Sequence, residues 1–277
     1  MENEHSLVIS IIRSTALIVR VLSRKSTFVA YAAKLAKDLF TAESRLIYRY
    51  LSASDDAICC TTLDLLAAMA SVDTASTGFL YENFDFGLRN LNSFAGHRRQ
   101  LVLEPFTQVS TCSRDAFITF ITALLTHGHY ELKLAVVKMN SLLSPVLGGL
   151  FNDAPEQVLS FLEVCDRQIL CHAQQHSKTM TAAFLQGSNA ASLTKLLTYN
   201  NPVVKQRVLD LLNRLTSPKS PFNVIFRVER LAYNEVACIR NRSLQAILGN
   251  LNIFQSIDQL QLALLILENC PDLIGPY

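Results

Sequence analysis

Charge is what this sequence is shortest of. Asp, Glu, Lys and Arg make up 17% of its 277 residues, whereas ordinary soluble domains carry about 25%. Apolar residues reach 50% and mean hydropathy is +0.24. A surface so poor in charge is expected to have some helical faces covered by a partner or by more polypeptide. No single sign dominates, since 25 Lys and Arg stand against 23 Asp and Glu, so composition neither requires nor excludes nucleic acid. Glycine is scarce at 9 residues, and nowhere is there a sustained alternation of apolar and polar residues; almost no sheet is expected. No CxxC, HExxH, GxSxG, Walker loop or dinucleotide fingerprint occurs, so the common metal, nucleophile and phosphate-binding signatures are missing.

A long uninterrupted apolar run is missing too. The segment from Leu7 to Leu22 follows Glu2 and Glu4 and is broken by Arg13 and Arg20. A membrane span needs roughly 18 uninterrupted apolar residues, and a signal peptide carries its charge ahead of its apolar core. The segment reads as an amphipathic helix with both arginines on one side; a mitochondrial presequence is the alternative, weakened by the early acids. The seven cysteines (Cys59, Cys60, Cys112, Cys165, Cys171, Cys238 and Cys270) are odd in number and scattered through apolar patterns. That usage fits a reducing compartment with buried thiols.

What is present is helical periodicity. The most distinctive stretch, Ile58 to Phe94, predicts a helix to about Val72 with Ile58, Leu65, Leu66 and Met69 on one side. After a break at Thr74 to Gly78, Phe84-Asp85-Phe86 opens a second helix that Asp85 would cap. Phe28 to Leu51 is helical with a bend at Ala42-Glu43-Ser44, and Ser52 to Asp56 is a polar turn. A helix beginning near Ser113 carries Phe117, Ile118, Ile121, Leu124 and Leu125 on a broad apolar face and ends at His127-Gly128-His129. Another runs from Leu132 to Leu143.

Asp153-Ala154-Pro155-Glu156 has the capping-box arrangement, and its helix aligns Val158, Leu162, Cys165 and Ile169. Asn200-Asn201-Pro202 is a second cap, for a helix presenting Val204, Val208, Leu211, Leu212 and Leu215. Further helical patterns cover Lys178 to Leu185, Leu193 to Leu197, Glu235 to Leu251 and Ser256 to Asn269. About a dozen helices of roughly 10 to 20 residues, each needing neighbours for its stripe, describe an all-α, irregular α-solenoid of stacked helix pairs, HEAT or armadillo-like. No fixed-period repeat signature is found. The expectation is a single α-helical repeat domain over residues 1–277.

Several constellations could carry chemistry. His172 and His176 stand four apart near Cys165 and Cys171; zinc uses those residue types, but a solvated helix end fits the segment better. The adjacent Cys59 and Cys60 sit at a helix start, where the dipole lowers a thiol pKa; neighbouring residues diverge on a helix, so one thiol is expected in the core. The basic residues are the more plausible functional set: Arg24-Lys25, the loop-borne His97-Arg98-Arg99, Lys205 with Arg207, and Arg240 with Arg242. Each could contact phosphate or a partner; a solvated helix edge is the plainer reading of any one cluster.

Leu46 to Ser52, Leu63 to Ser71 and Phe84-Asp85-Phe86 resemble the N-terminal domain of the nucleolar pre-ribosomal-associated protein family. Leu150 to Val158, Asp166 to Leu170, Ser177-Lys178, Arg240 to Arg242 and Cys270 to Leu273 resemble its later parts in the same order. The resemblance implies a nucleolar, non-catalytic helical-repeat scaffold of early 60S assembly, acting with other assembly factors that include an RNA helicase and associating with pre-rRNA. It offers no catalytic residue to carry across and makes Phe84, Asp85 and Phe86 a marker of family architecture; from the residues themselves no cofactor, metal or membrane is expected. Family members are very long chains, so this one reads as a fragment, an incomplete gene model or a much reduced relative. A cytoplasmic armadillo-like adaptor that binds protein only is the alternative.

Overall fold

A computed structural model describes residues 2–51, 55–73, 111–138, 155–170, 189–216 and 256–269, with isolated positions at 143, 147, 180, 183–184, 247–249 and 251. Every regular element among the described residues is helical. The chain divides into two compact units, Met1–Val136 and Val137–Tyr277.

The first unit is built around one helix. α1 (Glu2–Ser23) leads through a 3-10 turn (Ser26–Phe28) into α2 (Val29–Leu51), and α3 (Asp56–Ala70) follows. α2 stays helical through Ala42, Glu43 and Ser44, where the sequence predicts a bend. The start of α3 is fixed by Asp55, whose Oδ1 accepts from the backbone N–H of Ala57 at 2.8 Å and of Ile58 at 3.4 Å. That satisfies two donors a helix leaves open at its N-terminus. Asp55 Oδ2 also lies 3.3 Å from His5 Nδ1, tying the first turn of α1 to the start of α3.

α3 packs against α1, α2 and α4 (Thr111–His127). Twelve of its fifteen residues are therefore buried: Ile58 to Leu63 and Leu65 to Ala70. The sequence suggests one apolar side for this helix. The structure surrounds it, and the buried Thr61 and Thr62 hydroxyls stay satisfied by donating to the Ile58 carbonyl at 3.0 and 2.7 Å. α4 buries the apolar face read from the sequence, Phe117, Ile118, Ile121, Leu124 and Leu125, with Phe120 beside it. It ends at Gly128, where an added Cβ would lie 2.3 Å from the Leu124 carbonyl oxygen. α5 (Tyr130–Lys138) begins two residues later, and the boundary between the units falls within it.

α1 has the length and apolar content to cross a membrane, alone among the described residues; its two arginines do not take it out of that range. In unit 1 it packs on α2 and α3 and buries Ile12, Ala16 and Val19. Arg20 Nη2 reaches Asp64 Oδ1 on α3 at 3.2 Å.

The second unit follows the same logic. α6 (Pro155–Cys165) buries Val158, Leu162 and Cys165 and continues into one π-helical turn (Asp166–Leu170) that buries Ile169, completing the stripe read from the sequence. α7 (Asn189–Lys195) passes through a 3-10 turn (Leu196–Thr198) to α8 (Pro202–Thr216). Asn201 caps α8, its Oδ1 accepting from Val203 N–H at 2.9 Å and Val204 N–H at 3.2 Å, with Pro202 in the first turn as the sequence indicates. α8 buries Val204, Val208, Leu211 and Leu212. It packs on α6 and on α9 (Ile257–Asn269).

Candidate functional site

Two of the four basic clusters singled out in the sequence, Arg24-Lys25 and Lys205 with Arg207, can be placed. His97, Arg98 and Arg99 lie outside the described residues, as do Arg240 and Arg242, and as do Phe84, Asp85 and Phe86. Lys205 and Arg207 are on the second turn of α8. Two positions apart on a helix means about 200° of rotation, so they point to different sides and form no joint basic surface.

Arg207 is held by its own unit. Its Nη2 donates to Asp166 Oδ2 at 2.9 Å, and the side chains are 32% and 9% exposed. Asp166 opens the π-helical turn after α6, so this ion pair clamps α8 to the end of α6. A carboxylate so far out of water needs a charged donor, and the guanidinium supplies it. The neighbouring Arg167 turns outward and pairs with Glu163 one turn back. The sequence groups Arg207 with Lys205 as a candidate phosphate or partner contact; its partner is 41 residues away, beyond any local signal.

Lys205 is half-buried on α8, beside the exposed Gln206, which donates to Asp210 Oδ1 at 3.0 Å one turn on. Arg24 and Lys25 are both exposed in the link between α1 and the 3-10 turn. They are the described basic pair that combines loop position with exposure, the combination expected of His97-Arg98-Arg99 from the sequence.

The thiols behave as core residues. Cys59 and Cys60 are both buried, because α3 has helices on several sides, whereas the sequence reading placed one in the core; Cys59 Sγ donates to the Leu51 carbonyl at 3.4 Å. Burial, and next the adjacent Asp166, push the Cys165 thiol far up, so it stays protonated. His172, His176 and Cys171 lie outside the described residues. Among the described residues no three His, Cys, Asp or Glu side chains converge as metal ligands would.

Unit 1 holds one further titratable pair. His127 closes α4, and Lys133 is buried on α5. Burial, and next the positive charge of Lys133, lower the His127 pKa. Burial alone lowers that of Lys133.

The fold and these residues define an all-α helical-array protein. A family model described as Npa1, ribosome 60S biogenesis N-terminal, matches residues 1–277. The chain belongs to that family, and its role lies in 60S ribosome biogenesis. No curated protein sequence matches it. Among solved structures it is similar to the designed armadillo repeat protein YIII(Dq)4CqI, at 15% identity over 94% of this chain and 92% of that one, with a TM-score of 0.46. It is also similar to the designed armadillo repeat protein YIII(Dq.V1)4CPAF in complex with the peptide (KR)4, at 16% identity over 94% and 91%, with a TM-score of 0.45.

Proposed function

We propose that the chain is a non-catalytic scaffold of early large-subunit assembly in the nucleolus. It binds other assembly factors, an RNA helicase among them, through the faces of its helices, and contacts pre-rRNA through small basic clusters. The observation that carries this reading is the match to the 60S biogenesis family over residues 1–277.

The RNA contacts are assigned to His97-Arg98-Arg99, Arg240 and Arg242, with Lys205 as a minor contributor. Arg207 is assigned to the Asp166 clamp, since an arginine already neutralised by a buried carboxylate has little charge left for phosphate. A tagged chain should enrich in the nucleolus and recover large-subunit rRNA precursors after crosslinking, and replacing His97, Arg98 and Arg99 together with acids should lower that recovery. Diffuse cytoplasmic signal with no precursor RNA rejects the scaffold reading in favour of a protein-only adaptor. Unchanged crosslinking in the triple variant removes the assigned RNA site and leaves the scaffold standing.

A further inference from the structure

α1 is apolar on two opposite faces, and unit 1 uses one of them. Ile12, Ala16 and Val19 are buried where α1 packs on α2 and α3. On the far side Leu7, Ile11, Leu17, Ile18 and Val21 stand 51–62% exposed. Leu7, Ile11, Ser14, Ile18 and Val21 follow one another at steps of four and three residues. That is the heptad spacing of a seam which meets another helix, with isoleucine at both equivalent inner positions.

The occupant is read from charge and symmetry. The positions flanking the seam, Val8, Ser10, Thr15, Leu17 and Leu22, are uncharged, so nothing repels an identical stripe and nothing selects a charged stranger. The ends supply the complementarity: α1 opens with Glu2 and Glu4 and is followed by the exposed Arg24 and Lys25. Two such helices running antiparallel place the acidic start of one beside the basic end of the other and oppose their dipoles. The small Ser14 lies midway, seven residues from both Leu7 and Val21 and three from both Ile11 and Leu17. An antiparallel pair crossing there sets Leu7 of one copy against Val21 of the other, and Ile11 against Leu17. We propose that this face is a two-fold interface between two copies of the chain, α1 on α1, antiparallel about Ser14. A self-complementary patch closes as an isologous dimer. A bilayer would accept the same side chains, but it has no use for a heptad step or for opposite charges at the two ends.

Sedimentation of the full chain across the micromolar range tests the interface. A monomer–dimer equilibrium is expected, with Ile18→Asp weakening it by roughly tenfold or more while leaving the far-ultraviolet circular dichroism unchanged. Ser14→Cys should give an oxidised crosslink between copies that the unsubstituted chain lacks. Leu7→Cys should crosslink to Val21→Cys in a mixed sample and not to itself. A chain that stays monomeric throughout overturns the proposal, as does Leu7→Cys crosslinking to itself, which marks a parallel pair. Flotation of a monomeric chain with phosphatidylcholine–phosphatidylserine vesicles also overturns it and assigns the face to lipid.

Discussion

His127 shows how one buried charge sets the behaviour of a neighbour. It ends α4 in a half-buried position, with Lys133 contributing positive charge from α5. Both effects disfavour imidazolium in the folded chain, so the unfolded chain binds the proton more readily. Stability is therefore full above the ordinary histidine value of 6.5 and declines as pH falls through the window between that value and the lower folded one. His127→Gln should flatten this decline, read as urea midpoints taken from above to below 6.5. Lys133→Met should raise the His127 pKa part of the way back, because the coulombic contribution goes and the larger burial contribution stays; an NMR titration of the imidazole reads that directly. None of this was legible in the sequence. His127 there is one letter of a His-Gly-His turn, and Lys133 carries the same symbol as an exposed lysine until packing removes its water. The Asp166–Arg207 clamp was hidden for the same reason, while the Asn201 cap, which acts over three residues, could be read at once.

At the level of elements the periodicity carried most of what was needed. The stripe Val158, Leu162, Cys165 and Ile169 and the stripe Val204, Val208, Leu211 and Leu212 are buried as the spacing requires, since a helix in water must turn its apolar side inward. Periodicity marks faces, though, and does not count neighbours. α3 reads as one-sided because Asp64 and two threonines break its apolar pattern, yet only its Asp64 edge reaches solvent in the middle of the helix. The small residues Ala67, Ala68 and Ala70 are what let several helices approach it closely. A helix enclosed this way should be unforgiving. Leu63→Ala, at a fully buried position off the apolar side read from the sequence, is expected to cost about 2–5 kcal/mol, the range for a buried leucine truncated where the surroundings collapse only partly. Asp64→Ala on the same helix removes only the half-exposed pair with Arg20 and should cost about 0–1 kcal/mol. Chemical denaturation of the two variants side by side distinguishes an enclosed α3 from a one-sided one, which would bring the two costs together.

For the whole molecule the decisive quantities are a net charge of +2 and a charged fraction of 17%. The shortage of charge led to the expectation of covered faces, and α1 and α9 expose apolar side chains: Leu7, Ile11 and Ile18 on one, Ile257 and Leu264 on the other. A chain of this kind has no broad field to draw in RNA, so any RNA affinity comes from a few local contacts plus neutral surface. That has a measurable signature. Each phosphate neutralised on single-stranded RNA contributes roughly −0.7 to the slope of log K against log salt, so the five assigned contacts of His97, Arg98, Arg99, Arg240 and Arg242 predict a slope of about −3.5. Replacing Arg98 and Arg99 by glutamine should bring that slope to about −2, with His97, Arg240 and Arg242 still engaging their phosphates. Lys205→Gln should shift it by less than one full contact, because Lys205 is half-buried and faces away from Arg207. Filter-binding titrations across a salt series measure all three. A much steeper slope in the unsubstituted chain would mean that many dispersed cations act together on the RNA, and the assignment of contact to local clusters would then fail.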